Sequence, residues 1–206
     1  MLAGGLGTRL RSAVPDLPKC MAPVAGHPFL FHVIKWLRSQ GINRIIFSLG
    51  YKHEIIEDYL QKHFSSLDYT CVVEPEPLGT GGGIQLALCA AKTPHVTVVN
   101  GDTLYAIDLS ILEKQHLQAN SICSLSLKPL QNFDRYGVVE TDSSSNILRF
   151  LEKQWTEKGN INGGIYIIHK DRFLSIGFPE KFSFETDFLQ QPQFQTQLKG
   201  FVQDAY

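Results

Sequence analysis

The sequence predicts an α/β fold: a Rossmann-like, mostly parallel mixed sheet with helices on both faces. Three observations predict it. Strand and helix patterns alternate through roughly the first hundred residues, the order that builds a parallel sheet from βαβ units. Three polar clusters, Gly4 to Arg9, Glu74 to Gly82 and Asn100 to Asp102, each follow a strand pattern. Ligands in such sheets bind beyond the carboxyl ends of the strands. The second half changes to strands joined by turns, which adds antiparallel pairs.

Met1-Leu2 reads as the tail of a strand, and the expectation is that residues precede it. Pro28 suits the first turn of a helix that runs to about Gln40, with Gly41 as its stop. Ile42 to Leu49 is an apolar, β-branched run of the kind found in buried strands. Ile55, Ile56, Tyr59, Leu60 and Phe64 share one helical face. Tyr69 to Val73 is a short strand, followed by a loop from Glu74 to Gly83 and a helix through Leu86, Ala87 and Ala90. His95 to Asn100 is a strand that ends in Gly101-Asp102. Beyond it, Cys123 to Lys128, Gly137 to Thr141, Ile147 to Glu152 and Asn162 to Ile168 read as strands. Asp142-Ser143-Ser144-Ser145-Asn146 is a turn joining an antiparallel pair. Phe182 to Gln190 reads as a short helix capped by Ser183, and Gln197 to Tyr206 as a final strand.

With 206 residues the chain suits one domain. Its net charge of −1 gives no bulk electrostatic reason to expect a nucleic-acid or membrane partner. No apolar run approaches the ~18 residues that span a bilayer, and Met1 does not open a signal peptide. Cys20, Cys71, Cys89 and Cys123 are scattered without a CxxC pair and read as reduced, mostly buried thiols of a cytoplasmic protein. The seven histidines show no HExxH spacing, so each reads as a surface or core residue.

The richest segment is Ala3-Gly4-Gly5-Leu6-Gly7-Thr8-Arg9-Leu10, with Pro18-Lys19 close behind. Glycines strip side chains from a loop, so its N–H groups can press on phosphate oxygens. Arg9 and Lys19 add full positive charges. The spacing fits neither a Walker A loop nor a dinucleotide fingerprint, whose third glycine would stand at Leu10. A polyphosphate is the ligand this segment suits; a plain strand-to-helix turn is the alternative.

In order along the chain, Gly4 to Leu10, Pro18-Lys19, Glu74-Pro75-Glu76-Pro77-Leu78-Gly79-Thr80-Gly81-Gly82, Asn100-Gly101-Asp102, Arg135-Tyr136-Gly137, Glu152-Lys153 and Asn162-Gly163-Gly164-Ile165-Tyr166 resemble the motifs of sugar-1-phosphate nucleotidyltransferases. Within that family, Phe133 to Gly137 and Lys181-Phe182-Ser183-Phe184-Glu185 are most similar to D-glycero-D-manno-heptose 1-phosphate guanylyltransferases. The resemblance implies the nucleotide-diphospho-sugar transferase fold. It also implies a nucleotide half of about 1–107 and a sugar half of about 108–206. It assigns Ala3, Gly4, Gly5, Gly7 and Thr8 to the nucleotide and its phosphates. Arg9 falls to the departing pyrophosphate and Lys19 to the α-phosphate. Glu74, Gly79 and Thr80 fall to the nucleoside, Asp102 to Mg²⁺, Gly137, Glu152 and Asn162 to the sugar, and Lys153 to its phosphate.

The implied reaction joins a nucleoside triphosphate to a sugar 1-phosphate. Both reactants are anions, so catalysis is positioning and charge neutralisation, with no general base. Glu74 accepts hydrogen bonds only, and guanine offers two adjacent donors. GTP is therefore the expected nucleotide, with UTP, dTTP and CTP left open. Alternatives are a mannose-1-phosphate guanylyltransferase, a glucose-1-phosphate uridylyl- or thymidylyltransferase, and a non-catalytic nucleotide-sugar-binding regulatory subunit. The last arises because the family's second Mg²⁺ aspartate has no match at Asp204, which implies a chain that continues past Tyr206. A homo-oligomer is compatible with all of these.

Overall fold

The computed structural model describes residues 1–5 and 17–205. These cluster in two compact units, interleaved along the chain. Unit one holds Met1–Lys92, Val99–Leu104 and Pro179–Phe182; unit two holds Thr93–Val98, Tyr105–Phe178 and Ser183–Tyr206.

Unit one opens with Leu2 bridged in parallel to both Ser48 and Asn100. Its N–H donates to Val99 O at 2.9 Å, and Ala3 N–H donates to Ser48 O at 2.8 Å. A small hairpin, β1 (Pro23–Val24) and β2 (His27–Pro28), turns through Ala25 and Gly26, both at positive φ as a two-residue turn of this kind requires. Helix α1 (Phe29–Ser39) follows directly after Pro28 and stops before Gly41, whose φ is +80°. Leu30, Val33, Ile34 and Leu37 form its buried stripe. Strands β3 (Arg44–Leu49) and β4 (Asp68–Val73) pair in parallel through α2 (His53–His63), which buries Ile56 and Leu60.

Helix α3 (Gly79–Cys89) begins inside the segment expected to be a loop. Glycines argue against a helix by intrinsic propensity, but tertiary packing overrides it here. A Cβ on Gly82 would overlap the Glu180 carbonyl, and one on Gly81 would overlap the Phe182 ring. Only a bare helix face fits against residues 180–182.

Unit two is built on a four-stranded sheet in the order β10-β6-β9-β5. These are β5 (His95–Val99, its last residue in unit one), β6 (Cys123–Phe133), β9 (Thr156–His169) and β10 (Leu198–Val202). β6 runs parallel to β10 and antiparallel to β9. A second antiparallel pair, β7 (Val139–Thr141) and β8 (Ile147–Phe150), turns through Asp142, whose Oδ1 accepts from Ser144 N and Asn146 N at 2.8 Å. Helix α4 (Leu109–Ala119) is absent from the sequence reading. Its N-cap is Asp108, which accepts from Ser110 N at 2.9 Å, and Asn120 closes it in the left-handed conformation. A short α5 (Lys170–Leu174) follows β9.

The expected Phe182–Gln190 helix is a single π turn, Glu185–Leu189. Ser183 does cap it, accepting from Thr186 N–H at 3.2 Å, while Asp187 Oδ2 accepts from Ser183 N–H at 2.8 Å. Phe173, Phe178, Phe184, Phe188 and Phe194 pack edge to face and tilted beneath it. The four cysteines are free thiols, but only Cys20 and Cys123 are buried; Cys71 is half-buried and Cys89 exposed, on the outer side of α3.

Candidate active site

In unit one, the polar clusters expected at the strand ends converge. Gly4 lies so close to the end of β3 that a Cβ there would stand 3.0 Å from Gly50 N and 3.2 Å from Glu74 Oε1. The Glu74 carboxylate is held in this crevice. Its Oε2 accepts from Leu78 N–H at 3.0 Å, and Ser48 Oγ lies 3.4 Å from Oε1. Gly83 borders the same carboxylate, with room for no side chain. Gly101 abuts Leu2 and Ala3 in the same way. Among the described residues, nothing lies within 4 Å of a Cβ built on Gly5. Gly79, at φ +76°, sits against the Phe182 carbonyl, and Thr80 is exposed.

Lys19 Nζ and Asp102 Oδ2 form an ion pair at 2.6 Å, each side chain about one-third exposed. Lys19 begins a 3-10 turn (Lys19–Met21), and Asp102 follows Gly101 just past β5. Cys20, between the Lys19 charge and the core, is buried; that burial first, and the Asp102 charge second, push its thiol up to about 12. It is a packing residue and no nucleophile. Gly7, Thr8 and Arg9 lie outside the described residues. Among the described residues no group of three or more His, Cys, Asp or Glu side chains is arranged to hold a metal ion. The lone Asp102 carboxylate suits Mg²⁺, which keeps several waters and takes phosphate oxygens as ligands; it would not make a site for a softer metal.

In unit two, Gly137, Glu152, Lys153 and Asn162 line one cavity of about 270 Å³, and Glu185 and Gln190 complete its polar wall. Gly137 is obligatory there, because a Cβ would overlap the Leu151 carbonyl. Asn162 is aimed by an irregularity in β9. The register passes from Leu125↔Tyr166 to Leu127↔Asn162, so β9 carries extra residues at Gly163-Gly164. Gly164 takes φ +74°, and a Cβ on Gly163 would stand 2.5 Å from the Tyr105 ring. Such bulges re-aim side chains, often beside functional sites. Glu185 and Gln190 were not picked out as site residues from the sequence. The Lys181 to Glu185 motif marks the place, but the π turn that begins at Glu185 and is closed by Gln190, and so brings both residues to the cavity, has no local sequence code.

The nucleotidyl transferase family model matches residues 1–199. The chain belongs to the nucleotidyl transferase family. Among the family's curated members, it is 44% identical over its whole length to D-glycero-alpha-D-manno-heptose 1-phosphate guanylyltransferase of Aneurinibacillus thermoaerophilus, covering 89% of that protein. It is 42% identical to the enzyme of the same name from Campylobacter jejuni, covering 90% of it. Crystal structures of HddC from Yersinia pseudotuberculosis, one complexed with GMP-PN, match all of this chain and 89% of theirs at 38% identity, with TM-scores of 0.89 and 0.90. The α/β fold is the nucleotide-diphospho-sugar transferase fold. No helix among the described residues is long and apolar enough to cross a membrane.

Proposed function

We propose that this nucleotidyltransferase transfers a guanylyl group from GTP to D-glycero-D-manno-heptose 1-phosphate, giving GDP-heptose and pyrophosphate. One observation carries the reading: full-length similarity at 44% and 42% identity to two heptose 1-phosphate guanylyltransferases. The clustering of Gly137, Glu152, Lys153 and Asn162 around one cavity supports the sugar assignment. A second reading, mannose 1-phosphate as acceptor, is favoured by 34% identity over 173 residues to mannose-1-phosphate guanylyltransferase of Mycobacterium tuberculosis, about half of whose length this chain spans.

In the proposed chemistry a phosphate oxygen of the sugar 1-phosphate forms a bond to the α-phosphorus. The bond from that phosphorus to the β-phosphate oxygen breaks, and pyrophosphate leaves with the electron pair. No proton moves, since the attacking oxygen is already anionic. The protein's task is to hold two mutually repelling anions in line and offset their charge. Gly4 and Gly5, and with them Gly7 and Thr8, take the nucleotide's phosphates on backbone N–H groups, while Ala3, whose own N–H is held by Ser48 O, lines the nucleotide beside them. Lys19 neutralises the α-phosphate and Arg9 the departing pyrophosphate. Asp102 holds Mg²⁺, which supplies further positive charge at the triphosphate. Lys153 takes the sugar's phosphate, and Glu152 and Asn162 take its hydroxyls, with Gly137 giving the ring room. Glu74, with Gly79 and Thr80 beside it, takes the two guanine donors. Among the described residues, Leu78 N–H donates to Glu74 Oε2 and Ser48 Oγ lies 3.4 Å from Oε1, and a carboxylate oxygen can accept a further hydrogen bond from the base.

The test is pyrophosphate release with GTP, UTP, dTTP and CTP, each against heptose, mannose and glucose 1-phosphates. Release with GTP and heptose 1-phosphate at the highest kcat/KM is the expected result. A higher value with mannose 1-phosphate selects the second reading, and no release with any pair overturns both.

A further inference from the structure

Tyr166 stands directly behind the unit-two cavity, only 3% exposed and outside its lining. A buried phenol needs a partner for its hydroxyl, and here the partner is a residue of the cavity wall. Tyr166 Oη accepts from Asn162 Nδ2 at 2.9 Å, while Asn162 Oδ1 accepts from Gly164 N–H at 2.9 Å. A backbone N–H can only donate, so this pair fixes which end of the carboxamide is oxygen and which is nitrogen. One Nδ2 proton and one Oδ1 lone pair remain for the cavity. The phenol ring is itself locked, edge-on to Phe184 with centroids 5.0 Å apart. Glu185, on the cavity's other polar wall, is near enough that its charge, after burial, helps keep the phenol protonated.

We propose that Tyr166 is a positioning residue for the acceptor sugar: its hydroxyl sets the Asn162 carboxamide so that it presents one donor and one acceptor to a sugar hydroxyl. The inference rests on the proposed function, which puts the sugar phosphate in this cavity. An Asn162 freed from Tyr166 keeps its Gly164 contact but can swing its nitrogen away. Sugar binding then weakens while the phosphoryl chemistry is untouched.

Substitution Tyr166→Phe removes the oxygen and keeps the ring. The expected result is a KM for the sugar 1-phosphate raised about tenfold, the loss of one oriented hydrogen bond. The KM for GTP and kcat stay within about twofold of wild type, and Y166F adds nothing to Asn162→Ala in the double variant. A purely structural role would lower the thermal midpoint and leave the sugar KM unchanged, and that outcome overturns the proposal. If Y166F does not fold, Tyr166→Met, a side chain of adaptable shape with no hydroxyl, takes its place; an unchanged sugar KM in that variant also overturns it. A measurement independent of turnover separates this from the functional reading. The side-chain ¹⁵N heteronuclear NOE of Asn162, in the free protein, should fall in Y166F. If it does not, the positioning role is wrong, whatever sugar phosphates the wild type accepts. If it falls but the wild type uses no sugar 1-phosphate, the proposed function is what fails.

Discussion

Lys19 and Asp102 illustrate how little the resting contacts of a residue say about its worth. Their ion pair is short, yet both side chains reach solvent, and such pairs contribute about 0–1 kcal/mol to stability. The same ammonium beside a phosphate that gains charge in the transition state is worth far more, because nothing must reorganise to meet that charge. Lys19→Ala is therefore expected to lower kcat about a hundredfold, about 3 kcal/mol, and to move the thermal midpoint hardly at all. A steady-state assay paired with a melting curve checks both halves. Loss of stability with kcat preserved would make the pair a structural tie. At this scale the sequence was most legible where chemistry demands a residue type: Glu74, Asp102, Lys153 and Asn162 stand out by motif. Glu185 and Tyr166 stand inside motifs but carry no role in the sequence alone, because a carboxylate on a π turn and a phenol behind a wall gain their roles from tertiary contacts.

Elements carry two further consequences. Helix α3 tolerates its run of glycines because residues 180–182 lie against them. Gly82→Ala drives a methyl group into the Glu180 carbonyl, and is expected to destabilise the protein by about 1–3 kcal/mol despite alanine's better helix propensity. A denaturant midpoint that rises instead would show that residues 180–182 yield. The second consequence lies where β5, α4 and the end of β9 meet. His95 Nδ1 is 3.0 Å from His116 Nε2, His116 Nδ1 is 2.8 Å from Ser124 Oγ and 3.1 Å from Ser121 Oγ, and the His169 ring centroid is 4.8 Å from that of His95. Glu113 and Arg172 complete the charged surroundings. His116 is 1% exposed, and burial first, then the charges of His95 and His169, bring its pKa down to about 4. The unfolded chain binds a proton near pH 6.5 that the folded chain refuses until about pH 4. Stability from this site is thus complete above pH 6.5 and is lost as the pH falls toward 4, by on the order of 3 kcal/mol. Denaturant titrations at pH 7.5 and 5, compared with His116→Gln, should show this slope in the wild type and flatten it in the variant. An equal slope in both removes His116 from the account. Periodicity made α1, β3 and β4 legible to within two residues and showed α2 by its apolar face, of which Phe64 falls just past the helix end. It failed at α4, where a polar, weakly amphipathic run hid a helix that only the Asp108 and Asn120 caps announce.

On the scale of the whole molecule, two units divide the work that the proposed reaction requires. Unit one gathers Gly4, Glu74, Lys19 and Asp102 about parallel strand ends; unit two gathers Glu152, Lys153 and Asn162 about one cavity. The class of fold was legible because the alternation of strands and helices is a global pattern. The interleaving of the units was not, since the returns at residues 99–104 and 179–182 depend on contacts distant in sequence. The most direct measurement of the central claim uses sugar 1-phosphate carrying ¹⁸O in its non-bridging oxygens, incubated with GTP and Mg²⁺, with the products read by ³¹P NMR. If the sugar's phosphate oxygen attacks the α-phosphorus, the label appears in the P–O–P bridge of a GDP-sugar and none enters pyrophosphate. Label in pyrophosphate, or a GDP-sugar whose bridge is unlabelled, would contradict it.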